Sequence, residues 1–203
     1  MYKYVSKKEI RYIREYCEEI IKKIQKSKLK DFLTFSFYLI GSGKTNLITI
    51  NGDNGTYDLD YNLILQKDKA DLFSKPQKIK ELFSKEFDKE RNNFNIKKIE
   101  NSSSVITLKF KDKKANVDIA ILRKNNNGNY SKIIYDKNKN RYIWNEIKCS
   151  KNYQDNINLI KQQMCWNEVR DRYLFKKNSY LRQNKNISSF SILLETINEV
   201  MQR

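Results

Sequence analysis

The stretch Tyr57-Asp58-Leu59-Asp60-Tyr61-Asn62-Leu63-Ile64-Leu65 decides the fold. Apolar and aromatic residues alternate with polar ones at a period of two, the pattern of a half-buried β-strand. Asp58 and Asp60 stand two positions apart, so both carboxylates project from one face while Leu59 enters the core. Aspartate is depleted in strands, and two like charges side by side repel unless something positive stands with them. A solvated strand face would carry such a pair without chemical purpose. A pair of magnesium ions about 3.5–4 Å apart, bridged by the carboxylates, would give it one.

Toward the N-terminus, residues 34 to 40 (TFSFYLI) read as a buried strand ended by Gly41-Ser42-Gly43, and a polar loop carrying Asn51, Gly52, Asp53, Asn54 and Gly55 leads on to the aspartate strand. Gly41-Ser42-Gly43-Lys44-Thr45 resembles a phosphate loop at first sight, but that motif needs a glycine five positions before Gly43, where this chain has Tyr38. What remains is a strand running into small residues whose backbone N–H groups and hydroxyl can approach phosphate oxygens. An ordinary glycine turn has the same composition. Residues 7 to 30 place Ile10, Ile13, Cys17, Ile20 or Ile21, and Ile24 at steps of three and four, which predicts an amphipathic helix with a basic outer face packed on a sheet.

Toward the C-terminus, Ser74 before Lys75-Pro76 predicts a capped helix running to about Arg91. Residues 104 to 111 and 115 to 122 read as a hairpin around Asp112-Lys113-Lys114, and 130 to 135 with 141 to 147 as a second strand pair; Asn125 to Asn129 is a loop tip. Asp118 lies inside Val117-Asp118-Ile119-Ala120-Ile121-Leu122, a strand that otherwise reads as buried. A lone carboxylate there calls for a cation or a hydrogen-bonding partner, a lysine being the ordinary one. From about 153 the pattern turns helical, with Leu159, Trp166, Val169 and Tyr173 on one face, and a last helix shows Phe190, Leu193 or Leu194, Ile197 and Met201.

The chain of 203 residues contains no histidine, which excludes Ser-His-Asp triads and histidine general bases and leaves carboxylates, lysines and tyrosines for acid-base or metal work. Cys17, Cys149 and Cys165 are odd in number and far apart, which argues against a disulfide framework or a zinc site and for reduced thiols. A formal charge of +17 points to a polyanionic partner such as RNA or a highly phosphorylated substrate, or to codon bias in an AT-rich genome, since the lysines are spread along the chain. No stretch approaches the ~18 apolar residues of a membrane span and no signal-peptide core follows the charged N-terminus, so a soluble, cytoplasmic protein is expected, with no membrane partner.

Together Gly41-Ser42, Asp58-Leu59-Asp60 and Asp118 resemble the DNA polymerase β-type nucleotidyltransferase superfamily, whose pattern is a Gly-Ser turn, an Asp-x-Asp on the next strand and a third Asp on a later one. Val117-Asp118-Ile119, the helical Leu159-Ile160-Lys161 and Ser189-Phe190 at a helix start look like the branch containing cyclic GMP-AMP synthase and oligoadenylate synthase. Asp58 lies sixteen positions after Ser42, several more than that pattern usually has, and Phe190 stands where tyrosine is more frequent. The resemblance implies an α+β fold: a nucleotidyltransferase palm with a mixed, mostly antiparallel sheet flanked by helices over 1–150, and a small C-terminal helical lobe over 151–203 packing on it. It implies two magnesium or manganese ions on Asp58, Asp60 and Asp118. Gly41, Ser42 and Lys44 would hold the β- and γ-phosphates of a nucleoside triphosphate, Lys161 and Ser189 would contact phosphates, and Phe190 would stack on a base. The implied reaction moves a nucleoside monophosphate to a hydroxyl and releases pyrophosphate. The acceptor is another nucleotide, giving a cyclic or linear oligonucleotide, or else an RNA 3′ end, a protein or an antibiotic. From a different class, a non-catalytic nucleic-acid-binding module would use the basic helix on phosphates and tyrosines on bases.

Overall fold

A computed structural model describes residues 1–147 and 151–202, with side chains in the second stretch from 155 onward. The elements run β1 (Tyr2–Tyr4), α1 (Lys7–Lys26), a 3-10 turn (Lys28–Asp31), β2 (Leu33–Ile40), α2 (Gly41–Thr45), β3 (Thr49–Asn51), β4 (Tyr57–Asp68), α3 (Pro76–Lys89), β5 (Ile96–Asn101), β6 (Ile106–Phe110), β7 (Ala115–Lys124), β8 (Tyr130–Asp136), β9 (Arg141–Glu146), α4 (Lys151–Gln162), α5 (Trp166–Arg182) and α6 (Ser189–Met201). They form two compact units. One holds Val5–Ile48 and Thr56–Ile147; the other holds Met1–Tyr4, Thr49–Gly55 and the described residues of Lys148–Arg203.

The first unit is built on a seven-stranded sheet ordered β2-β4-β7-β6-β5, with β8 added to β7 and β9 to β8. β4 and β7 run parallel, and every other pairing is antiparallel. The free side of β7 is shared: β6 pairs with it from Asn116 to Ile119 and β8 from Leu122 to Lys124. The period-two pattern of the aspartate stretch is realised in full. Leu59, Tyr61 and Leu63 on β4, with Val117 and Ile119 on β7, have no exposed surface and form one face of the core together with Ile20, Ile21, Phe83 and Phe87 from α1 and α3. Each such buried side chain contributes roughly 1.5–3 kcal/mol. Phe35 on β2 meets Phe83 edge-on at 5.1 Å between ring centroids. The other face of β4, carrying Asp58, Asp60, Asn62 and Ile64, is left partly open.

Helix boundaries follow local hydrogen bonding. Ser6 caps α1 by accepting the Glu9 amide, and Ile10, Ile13, Cys17, Ile20, Ile21 and Ile24 form its buried stripe as expected. The helix stops at Lys26, short of residue 30, because Ser27 turns extended and its hydroxyl accepts the Leu29 amide to start the 3-10 turn. α3 starts at Pro76, but Ser74 does not cap it; that hydroxyl is turned to the Asp71 carbonyl and Lys75 holds the capping position without a side-chain bond.

In the second unit, β1 and β3 pair as a short antiparallel ribbon beside α5. Asn178, buried, accepts the Tyr2 amide at 2.7 Å and donates to the Tyr2 carbonyl at 3.0 Å. β3 lies within the long connection from Ser42 to Asp58, which is not the plain loop the composition suggests. The expected continuous stripe from Leu159 to Tyr173 is broken, because the chain leaves the helix with Met164 at φ 59° and restarts at Trp166. α4 therefore buries Ile157 and Ile160, and Leu159 is 40% exposed. α6 buries Ile192, Leu193, Thr196, Ile197 and Val200, leaving Phe190 outside that stripe. No helix among the described residues is long and apolar enough to cross a membrane.

Candidate functional site

The parallel register of β4 and β7 places Asp60 directly opposite Asp118 and Asp58 opposite Asn116. Neighbouring strands lie about 4.8 Å apart, so Asp60 and Asp118 are next to each other on the open face. The Asn116 amide donates to Asp58 Oδ1 at 3.0 Å. Across the far side of β7, Thr107 on β6 pairs with Asp118, and its hydroxyl donates to Asp118 Oδ1.

This crowding sets the proton affinities. Burial, then the negative charges of Asp118 and Asp58, push the Asp60 carboxyl up to about 6, against a smaller opposing pull from Lys132. Asp118 is raised by burial and by Asp58, and held back by the Thr107 hydrogen bond, Lys132 and Lys109. Lys132, on β8, is itself lowered by burial while both aspartates pull it upward.

Gly41 belongs to the same cluster. It has φ +60°, and a Cβ built on it would stand 2.7 Å from Asp60 Oδ2. Only a residue without a side chain lets the end of β2 pass this close to the carboxylate while adopting a left-handed conformation. The Gly-Ser-Gly segment is not a turn, however. It opens the five-residue α2, closed by Thr45 Oγ1 donating to the Gly41 carbonyl at 3.1 Å and by Asn46 at φ 57°. Lys44 lies on the exposed side of α2 and lines a cleft of about 800 Å³ with Tyr38, Ile40, Asn62, Ile64 and Tyr130.

Asp58, Asp60, Asp118 and Gly41 are thus gathered within one unit. Lys161, Ser189 and Phe190 belong to the other unit. There the Lys161 ammonium sits 5.0 Å from the centre of the Trp166 ring. Ser189 is the first residue of α6, with Ser188 as its cap, and lines a pocket of about 300 Å³ with Lys177, Tyr180 and Lys185; Phe190 is 54% exposed. The sequence reading missed Thr107, Asn116 and Lys132. Each alternates correctly for the carboxylate face of its own strand, but their proximity to the aspartates depends on strand order and register. Cys17 is buried, and burial pushes its thiol far above the usual range, as suits an inert core thiol; Cys165 is partly exposed, and Cys149 lies outside the described residues.

Hard carboxylate oxygens are the ligands that magnesium and manganese take. Two aspartates held side by side with raised proton affinity are the donor chemistry that a divalent cation relieves. As the side chains stand, no group of three or more carboxylates or thiols among the described residues is gathered closely enough to hold a metal ion, and Asp58 and Asp118 are turned to Asn116 and Thr107 instead. The donor set fits such ions in kind, and carboxylate rotation away from these partners would be required to close it around them.

No protein-family model matches the chain, and no curated protein matches it. Solved structures do. E. coli MS115-1 CdnC, determined with ATP, aligns with a TM-score of 0.65 over 98% of this chain and 62% of its own length at 16% identity. The STING-associated CdnE c-di-GMP synthase from Capnocytophaga granulosa aligns with a TM-score of 0.61 over 97% of this chain and 61% of its own at 20% identity. Vibrio cholerae DncV cyclic AMP-GMP synthase, in complex with the linear intermediate pppA(3′,5′)pG, gives 0.61 over 82% and 44% at 16% identity. The chain spans about half to three-fifths of the length of these proteins. At these identities the likeness establishes the fold, an α+β nucleotidyltransferase fold with a mostly antiparallel sheet flanked by helices. The resemblance read from Gly41-Ser42, Asp58-Leu59-Asp60 and Asp118 is borne out at that level.

Proposed function

We propose that the chain is a metal-dependent nucleotidyltransferase that transfers a nucleoside monophosphate from a nucleoside triphosphate to a hydroxyl of a second nucleotide, releasing pyrophosphate and giving a linear or cyclic oligonucleotide. The observation that carries this reading is the register of Asp60 against Asp118, with Gly41 pressed onto the Asp60 carboxylate. The fold shared with nucleotide-bound synthases supports it. Asp58, Asp60 and Asp118 would hold magnesium or manganese, which when bound lowers the pKa of the attacking hydroxyl and neutralises charge on the departing pyrophosphate. Asp118, whose proton affinity is raised by burial, takes the hydroxyl proton as the new oxygen–phosphorus bond forms and the bond to pyrophosphate breaks. By the resemblance, Gly41, Ser42 and Lys44 are assigned to the β- and γ-phosphates, Lys161 and Ser189 to phosphates and Phe190 to a base.

The test is incubation of purified protein with the four nucleoside triphosphates and magnesium or manganese, following pyrophosphate and analysing products by mass spectrometry. Pyrophosphate with oligonucleotide products is the expected result. No release with either metal, with or without total RNA, defeats the reading. The net charge of +17 favours an RNA 3′ end as the second acceptor, which would appear in the same experiment as RNA gaining one nucleotide in mass.

A further inference from the structure

We infer that Asn116 and Thr107 are positioning residues that hold the carboxylate cluster open: each bonds a carboxylate that must turn away from it before a divalent cation can be held. The inference rests on the metal-dependent function proposed above and adds two residues that act on it through Asp58 and Asp118.

Strand register lays the site out as two rows across the open face. Asp60 on β4, Asp118 on β7 and Thr107 on β6 make one row; Asp58, Asn116 and Lys109 make the next. On β4 and β7, then, three corners of a square are carboxylates and the fourth is the neutral amide of Asn116. Lys109, the cation of that row, is taken up by Glu100 at 2.8 Å. Like charges placed this way repel, and neutral donors are what remains to relieve them.

Two carboxylates receive such a donor. The Asn116 amide donates to Asp58 Oδ1 at 3.0 Å, and the Thr107 hydroxyl donates to Asp118 Oδ1. Thr107 stands across β7 from Asp60, so its bond draws Asp118 toward β6 and away from Asp60. With both bonds made, no group of three carboxylates or thiols among the described residues is close enough to hold a metal ion. Hydrogen bonds to an ionised carboxylate are stronger than those between neutral groups. A bond made only in the open arrangement stabilises that arrangement alone, and it lowers the apparent affinity for a cation by the share of molecules it keeps open. Asn116 and Thr107 therefore oppose cation binding, although both stand among the residues that would carry it. Both side chains are only partly buried, so the fold does not depend on them.

The test is manganese binding without nucleotide, followed by electron paramagnetic resonance at one alkaline pH, for wild type, Asn116→Leu, Thr107→Val and the double variant. None of these substitutions changes the net charge of the site, so the general attraction for a cation is the same in all four proteins. Each single variant should bind manganese about three- to tenfold more tightly than wild type, and the double variant more tightly still. Urea denaturation gives a second reading: saturating manganese should raise the midpoints of the variants by more than it raises that of wild type. Unchanged affinity overturns the inference. Weakened affinity does so too, because the two bonds would then be holding the carboxylates in the ligating arrangement. Should either variant fail to fold, Asn116→Ala and Thr107→Ala carry the same measurements. A wild type that binds no manganese defeats the functional reading itself; a wild type that binds it, with variants that bind it no tighter, defeats this inference alone.

Discussion

Replacing Asp60 by asparagine should stabilise the metal-free protein at neutral pH, because the native carboxylate is held ionised against its surroundings. The folded state protonates Asp60 at about 6, compared with an ordinary value of 3.8. Below pH 3.8 both folded and unfolded chains are protonated there, and the group contributes no difference. Between 3.8 and about 6 the folded state keeps a proton that the unfolded state has released, so wild-type stability falls as pH rises; above about 6 the full penalty applies. At ~1.4 kcal/mol for each tenfold change in proton affinity, the ceiling is about 3 kcal/mol. Solvent screening, and the repulsion that persists between Asp58 and Asp118, reduce the expected gain to about 1–2 kcal/mol. Urea denaturation in the presence of a chelator, from pH 4 to pH 8, measures it: Asp60→Asn and wild type should converge near pH 4 and separate above pH 6. Manganese should then raise the wild-type midpoint and leave Asp60→Asn nearly unmoved. A variant less stable than wild type at pH 7.5, or a gain that does not change with pH, would refute the reasoning.

Other substitutions address the neighbouring contacts. Gly41→Ala puts a Cβ at 2.7 Å from Asp60 Oδ2 and requires an L-residue at φ +60°, so it should lower stability by about 1–2 kcal/mol and reduce pyrophosphate release about 100-fold or more; near-normal activity would mean the contact is incidental. Thr107→Val removes the hydroxyl that holds down the proton affinity of Asp118, so the acid limb of the pH-rate profile should move to higher pH, with rates near wild type on the alkaline side of that limb. A limb that stays in place or moves down contradicts the assignment of Asp118 as proton acceptor. Tyr61→Phe deletes a buried hydroxyl with no hydrogen-bond partner among the described residues and should leave stability unchanged or raise it by about 1 kcal/mol in thermal melts; a loss of about 2 kcal/mol or more would contradict this.

Much of this fold was legible because its strongest signals are local. Period-two alternation at Tyr57–Leu65 and the three-four spacing of Ile10 to Ile24 need only neighbours in sequence, and both elements formed with the expected faces buried. What stayed hidden lacks local periodicity. β3 is three residues of which two are buried, and β5, at the sheet edge, reads Ile-Lys-Lys-Ile-Glu-Asn with one buried side chain. Neither stretch differs from a loop in composition. Gly41-Ser42-Gly43 was ambiguous for a related reason: glycine supports a turn or a left-handed start to a helix equally well, and the contact that requires glycine at 41 comes from Asp60, nineteen positions on.

The candidate site divides along the same line. That Asp58 and Asp60 share a face follows from one strand, but the consequences of that pairing come from residues brought in by other strands: Asp118 and Asn116 by parallel register, Thr107 by β6, Lys132 by β8. Those consequences argue against a module that merely binds nucleic acid through its basic surface. Such a module would gain stability by replacing Asp60 with a neutral residue, since its raised proton affinity disfavours the folded state above about pH 6. That cost falls where a glycine is fitted against the same carboxylate. Under the proposed function, cations bound at the aspartates would relieve that cost, which a module that only binds nucleic acid through its basic surface has no reason to carry.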